Sequence, residues 1–520
     1  MTTKRNGNVT TGAGSRAHGG RGLELDGMSL TTGQIDGAAR GRTPIGLSEV
    51  GLARAAASQQ FADTVARRRA VYGRSTGVGA NRTVRVTGDQ AAHVLALLRS
   101  HATSAGEARS AERVRAMLVI RLNQLATGGS GVDPGVLDGL LAMINADALP
   151  DVRELGSIGT GDLSALATTA LALMGEEPTT AALPSSTSFG PTDGLAFISS
   201  NAATLGDAAL AVSSLAESAR AALVIAALTF HAVGGNAEAY SAAVLLATPF
   251  PGAAEVCAVL REMVGSDPSG VRVDDTGLVL QPARIQDPFG LRALPQVHGP
   301  VLDQLSNATA VVDALANAPT ENPVFLATAT GAGGGGPDGG LVAHHAGFHM
   351  AYLQIALDSL GLAVAQSAQL VMARMATLIE PGLSSLPPFL GDGTAGASGV
   401  MVCEYVAASA AGAIRAGAVP AGLQTATLSR GVEEDASFAS LSAVQCLHIA
   451  ERYRQLLACE LVVAVRANRM QRRTPAGRIA EVLRVCTPLP AGLEDRNLTT
   501  DLTMAGDLIP ALAALVDGDR

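Results

Sequence analysis

The chemistry open to this chain is set first by a residue it almost lacks. Its 520 residues contain one lysine, Lys4, within an opening stretch rich in Gly, Thr and Arg. An internal aldimine with pyridoxal phosphate (PLP) and the phosphate-binding loop of a nucleotidase both need a lysine in a folded site, so neither is expected. Five cysteines, Cys257, Cys403, Cys446, Cys459 and Cys486, lie far apart without a Cys-x-x-Cys pair and read as buried free thiols. His345 and His349 stand four apart beside His344, but the His-Glu-x-x-His or carboxylate spacing of a metal site is missing. No metal is expected. The glycine run at Gly331–Gly340 lacks both the lysine and the spacing of a phosphate cradle, and reads as a surface loop.

The elements that must position any such chemistry are helices. The chain is 48% hydrophobic but only 3% aromatic, and its apolar residues are mostly Ala, Leu and Val, which favour close-packed helices. A net charge of −9 argues against nucleic acid as a partner. Residues 1–22 carry almost nothing to bury and read as a disordered tail. From 23 to 215, short helical stretches such as Asp89–Leu98, Ser110–Leu125, Gly135–Ala146 and Gly161–Leu173 alternate with Gly-rich turns. Residues 216–480 form a central long-helix bundle and residues 481–520 a C-terminal helical cap. Long helical periodicity spans Ala202–Phe230, Pro300–Ala316, Phe348–Ile379, Gly399–Ala416 and Ser437–Met470. Helices of that length suggest packing between subunits as well as within one. The longest apolar run, near Ala221–Phe230, is too short to span a bilayer, and the N-terminus lacks a hydrophobic signal core. A cytoplasmic protein with no membrane contact is the default expectation.

Eight strings then occur in order. They are Val71–Gly79 (VYGRSTGVG), Leu97–Glu107 (LLRSHATSAGE), Gly156–Ala167 (GSIGTGDLSALA), Gly194–Asn201 (GLAFISSN), Gln286–Gly299 (QDPFGLRALPQVHG), Glu321–Pro323 (ENP), Gly347–His349 (GFH) and Val432–Ser437 (VEEDAS). Together they resemble the histidine and aromatic amino-acid ammonia-lyases, over essentially everything after the tail. The resemblance implies a mainly α fold with a long central helix bundle and a loop-rich N-terminal active-site region. It also implies a homotetramer whose active sites combine loops from several subunits. The family's electrophile is a methylidene-imidazolone (MIO) ring made from an internal Ala-Ser-Gly, which needs no lysine and no external cofactor. The substrate is a small amino acid or analogue that loses ammonia.

On this resemblance Tyr72 matches the base that removes the β-proton. A phenol ordinarily titrates at about 10, so the role asks for a depressed pKa. Arg292 matches the clamp on the substrate carboxylate, a task suited to a guanidinium, with Gln286 as a polar partner. His101 occupies the position that reads the substrate side chain, and a polar reader there resembles histidine- and tyrosine-directed members. Glu434 matches a carboxylate near the substrate amine or imidazole, and Glu433 and Asp435 flank it.

The ring-forming segment departs from the family pattern. It reads Gly159-Thr160-Gly161, with one residue missing and threonine where the reactive serine stands. Dehydrating Thr160 would give an ethylidene group, whose extra methyl lies on the carbon that the substrate must attack. A literal Ala397-Ser398-Gly399 lies downstream and reads as a helix N-cap instead. Other positions differ too. Ser199 and Gly347 stand where the family has asparagine, Phe289 where it has tyrosine, and Ala436 where it has histidine. Glu433 and Glu404 each stand for a glutamine. These changes cluster around the electrophile while Tyr72, Arg292 and Glu434 persist, which points to a remodelled pocket. The leading reading is therefore an ammonia-lyase-like carbon–nitrogen lyase for a polar or aromatic α-amino acid. The alternatives are an MIO-free homologue doing aminomutase, isomerase or cyclisation chemistry, and a non-catalytic binding homologue.

Overall fold

The computed structural model describes residues 22–517 except 87, 275, 328–338 and 472–474. Lys4, nearly all of the expected tail and most of the 331–340 glycine run lie outside the described residues. Ten helices carry the description that follows. They are α1 (Gln90–His101), α2 (Ala111–Ala126), α3 (Leu163–Met174), α4 (Ala202–Val233), α5 (Phe289–Arg292), α6 (Gly299–Ala316), α7 (Ala351–Ile379), α8 (Met401–Gly417), α9 (Ala439–Met470) and α10 (Thr499–Asp517). The strands among the described residues form three two-stranded sheets: 23–25 with 45–47, 105–108 with 153–155, and 324–327 with 340–343.

Helix α4 is the axis of the bundle. It runs for 32 residues without a proline, ends at Gly234 in the left-handed conformation (φ 62°), and packs against α9, α2, α10 and α6. Ala, Leu and Val fill most of its length, and the small alanines let neighbouring helices approach closely. Polar crossings fix the register of the long helices. Arg374 of α7 forms a two-point ion pair with Glu460 of α9 (2.6 and 2.7 Å), and Thr229 of α4 donates to the same carboxylate at 2.9 Å. All three side chains are buried, so breaking this pair would strand a charge in the core.

Two expectations need adjustment. The apolar run at 221–230 belongs to a much longer apolar helix. By length and composition, four helical stretches among the described residues are long and apolar enough to cross a membrane. In the longest of them, 193–233, 72% of the apolar window is buried within the protein. Ser398 does not cap α8. Val400 is the N-cap residue, and the Ser398 and Gly399 amides donate to Asp495 at 2.8 and 2.7 Å. All five cysteines are buried and unpaired, and burial pushes the Cys446, Cys459 and Cys486 thiols up to about 12.

Candidate active site

The Ser157–Asp162 turn is enclosed by the starts of four helices. Asp162 is the N-cap of α3, Asn201 of α4, Met350 of α7 and Phe438 of α9. None of the four side chains caps its own helix, which leaves first-turn donors free to bond elsewhere. The Met350 amide donates to the Gly159 carbonyl at 3.3 Å and the Phe438 amide to the Ile158 carbonyl at 2.8 Å. Phe438 adopts φ 53°, a conformation unfavourable for a side chain of its size. The Asn201 side chain accepts the Gly161 amide at 3.0 Å and donates to the Phe348 carbonyl at 2.5 Å. Ser437 Oγ donates to the Gly159 carbonyl at 2.9 Å. Four helix N-termini thus direct positive potential at one short segment.

Asp162 ties the segment to the bundle. Its carboxylate accepts from Ser157 Oγ (2.6 Å), the Thr204 amide (2.7 Å) and Thr204 Oγ1 (2.9 Å). Burial raises its pKa, and these donors oppose the rise. Gly159 (φ 82°) and Gly161 (φ 112°) both lie in the left-handed region. A Cβ at Gly159 would sit 2.1 Å from Ser437 Oγ and 2.8 Å from the Ala439 nitrogen, so alanine does not fit there without movement. A bent backbone, a polarised Gly159 carbonyl and a β-hydroxyl on Thr160 between two glycines fit a segment that can cyclise.

Tyr72 lies on the loop after residue 70, half-buried at the same end of the bundle. Its Oη accepts the Gly79 amide at 2.8 Å. Burial raises the phenol above its ordinary value and Glu433 adds to the rise, while the Gly79 hydrogen bond and Arg82 oppose it. The depressed pKa that the base role asks for is therefore not seen in the isolated chain. Glu434, the expected carboxylate, is exposed, and its neighbour Glu433 is the acid that senses Tyr72. Asp435 reaches His349 Nε2 at 3.3 Å.

His101 closes α1, with Nδ1 2.8 Å from the Leu97 carbonyl. That contact makes Nδ1 the donor and leaves Nε2 as an acceptor. The carbonyl of the next residue, Ala102, accepts from Thr168 of α3 at 3.4 Å, which keeps His101 at this end. Ser199 is buried, and its Oγ accepts the Asn322 amide at 3.1 Å. Tyr72, His101, Gly159–Gly161, Ser199 and the 433–435 acids therefore share one end of the bundle.

Gln286, Phe289 and Arg292 do not. Asn236, just past the far end of α4, donates its amide to Asp287 (2.7 Å) and its side chain to the Ile285 carbonyl (2.7 Å). At 1.5 Å per residue, the 32 residues of α4 put ~48 Å between Asn201 and this loop. Helix α7 gives the same answer, because Met350 touches Gly159 at one end while Arg374 donates to the Gly290 carbonyl (3.2 Å) near the other. The Arg292 guanidinium stacks on Phe289, 4.3 Å from the ring centre, and Phe289 is 63% exposed. Arg292, Gln286, Asn236 and Glu238 line an open cleft of about 280 Å³. No group of three or more His, Cys, Asp or Glu side chains among the described residues could hold a metal.

Sequence reasoning missed Ser437, Asn201, Met350 and Asp162. Ser437 and Asn201 close two of the quoted strings, and Asp162 lies inside a third, so position relative to the segment was the available signal. Met350 acts through its amide, which side-chain type cannot reveal.

A mainly helical scaffold with a bent Gly-Thr-Gly loop at converging helix N-termini defines the class. The chain belongs to the aromatic amino acid lyase family, whose sequence profile matches residues 30–486, and it is a carbon–nitrogen lyase. It is 34% identical to histidine ammonia-lyase of Geobacillus kaustophilus over 79% of this chain and 82% of that one. It is 32% identical to histidine ammonia-lyase of Sorangium cellulosum over 95% and 98% of the two. The crystal structure of histidine ammonia-lyase from Trypanosoma cruzi superposes with a TM-score of 0.82 at 25% identity, covering 96% of this chain and 95% of that one.

Proposed function

We propose that the chain is an ammonia-lyase-like enzyme that eliminates ammonia from a histidine-like α-amino acid. The observation that carries this reading is the bent, polarised Gly159–Gly161 segment at the meeting point of four helix N-termini, with Tyr72 at the same end of the bundle. An imidazolone-type ring formed from Gly159, Thr160 and Gly161 would supply the electrophile that makes the amine a better leaving group. The chain's own groups do the rest. Tyr72 Oη takes the β-proton, and the Gly79 amide that donates to it stabilises the phenolate. His101 offers Nε2 to a substrate imidazole N–H. Arg292 holds the carboxylate, with Gln286 beside it.

Because Arg292 lies ~48 Å from the segment within one chain, a complete site takes Arg292 from another copy. A homotetramer with shared sites is the assembly we infer. Tyr352 at the segment's end (81% exposed) and Tyr405 at the opposite end (69% exposed) support burial against neighbouring subunits. Cytoplasmic location remains part of the proposal, consistent with five unpaired thiols.

The test is ammonia release from a panel of histidine-like and aromatic amino acids. Activity is expected on a histidine-like member, with Tyr72→Phe lowering kcat by about 10²-fold or more. A folded, assembled protein that releases no ammonia from any member overturns the reading. Thr160 and the shortened segment favour a second reading, a ring-free homologue, which predicts an intact mass with no water lost.

A further inference from the structure

We propose that Ser437, together with the Met350 amide, is a carbonyl-polarising clamp that drives closure of the Gly159–Thr160–Gly161 segment, and that Asn201 positions the attacking Gly161 nitrogen. The proposal rests on the ring-bearing form of the function above.

The clamp is directional. Ser437 Oγ accepts the Ala439 amide at 3.3 Å, which occupies a lone pair and leaves its O–H to point at the Gly159 carbonyl, 2.9 Å away. With the Met350 amide, that carbonyl has two donors. The same oxygen gains negative charge when its carbon is attacked, so both hydrogen bonds strengthen along the reaction. Asn201 is fully buried, and its own donation to the Phe348 carbonyl fixes which face of its amide meets Gly161. The resulting hydrogen bond holds the Gly161 N–H in place as that nitrogen approaches the carbonyl carbon.

Ser437 approaches so closely that a Cβ at residue 159 would overlap it. Glycine at 159 and serine at 437 are therefore a matched pair in this chain. Every participating group comes from one subunit, so closure needs no assembled site.

The chemistry balances without an oxidant or reductant. The Gly161 nitrogen bonds to the Gly159 carbonyl carbon, and its proton passes to the carbonyl oxygen to give a hydroxyl. That hydroxyl leaves as water with the Thr160 amide hydrogen, creating a C=N bond. Thr160 then loses its β-hydroxyl as water with its α-hydrogen, creating an exocyclic C=C bond. Two waters leave in all.

Intact mass and peptide mapping of the full chain, followed from the time of synthesis, test the proposal. Wild type is expected to be lighter by two waters, localised to Gly159–Gly161. Ser437→Ala should close about 10²- to 10³-fold more slowly and stay at full mass when freshly purified, and Ser437→Thr should restore closure. Circular dichroism checks the fold of each variant. If Ser437→Ala does not fold, Asn201→Ala decides, with slowed closure expected. A natively folded Ser437→Ala or Asn201→Ala that is dehydrated as early and as fully as wild type overturns the proposal while leaving the ring itself intact. A wild-type chain at full mass removes the ring reading and this proposal with it.

Discussion

At Tyr72 the surroundings pull in opposite directions. Burial and Glu433 raise the phenol, whereas the Gly79 amide and Arg82 lower it. A base works in its deprotonated form, so kcat/KM should rise with pH through the Tyr72 pKa. Glu433→Gln removes a negative charge that disfavours phenolate, and the rising limb should therefore move to lower pH. A pH profile checks this, and a limb that stays put or moves upward would show that Tyr72 does not sense Glu433. Tyr72 was legible because it is one of only five tyrosines and opens the Val71–Gly79 string, just ahead of Gly73, Gly77 and Gly79. Among three consecutive acids the resemblance singles out Glu434, whereas the acid that acts on Tyr72 is its neighbour Glu433. Sequence could not show this, because Glu433 is held by a tight turn in which the Leu428 amide donates to the Glu433 carbonyl at 2.9 Å.

The helices were legible for a different reason. Long stretches of Ala, Leu and Val with few internal breakers leave little alternative, and α2, α4, α6, α8 and α9 begin and end within about three residues of the periodicity. Helix α7 starts at Ala351, where the pattern suggested 348, because Phe348 and Met350 use their backbone groups on Asn201 and Gly159. What periodicity cannot report is where helix starts meet, since that depends on tertiary packing. The convergence explains a local substitution that would otherwise look conservative. Gly159→Ala restores the family's alanine, yet its methyl would collide with Ser437 and the Ala439 backbone. It is expected to cost about 1–3 kcal/mol, measured as a lowered denaturation midpoint. An unchanged midpoint would mean that the 437–439 backbone yields freely.

On the scale of the molecule, the two groups of candidate site residues lie at opposite ends of α4. This division could be inferred from sequence only through family resemblance, because Tyr72 and Arg292 carry no mark of their separation. It makes subunit mixing informative. Tyr72→Phe and Arg292→Ala chains should each be inactive alone, and co-assembly should restore part of the activity by pairing an intact Tyr72 with an intact Arg292. Mixed assemblies as inactive as the parents would place both residues in one subunit's site. Assembly and activity are checked together by light scattering and ammonia release.

The same packed interior has a consequence for how the fold opens. A thiol held at about 12 is ionised on the order of once in 10⁵ molecules at neutral pH, and Cys446, Cys459 and Cys486 are also shielded from solvent. Alkylating reagents therefore meet almost no reactive sulfur in the native state. Each labelled cysteine timestamps an opening of its own helix, Cys446 and Cys459 on α9 and Cys486 at the end of the 477–485 helix. The chain carries its own set of silent clocks for local unfolding.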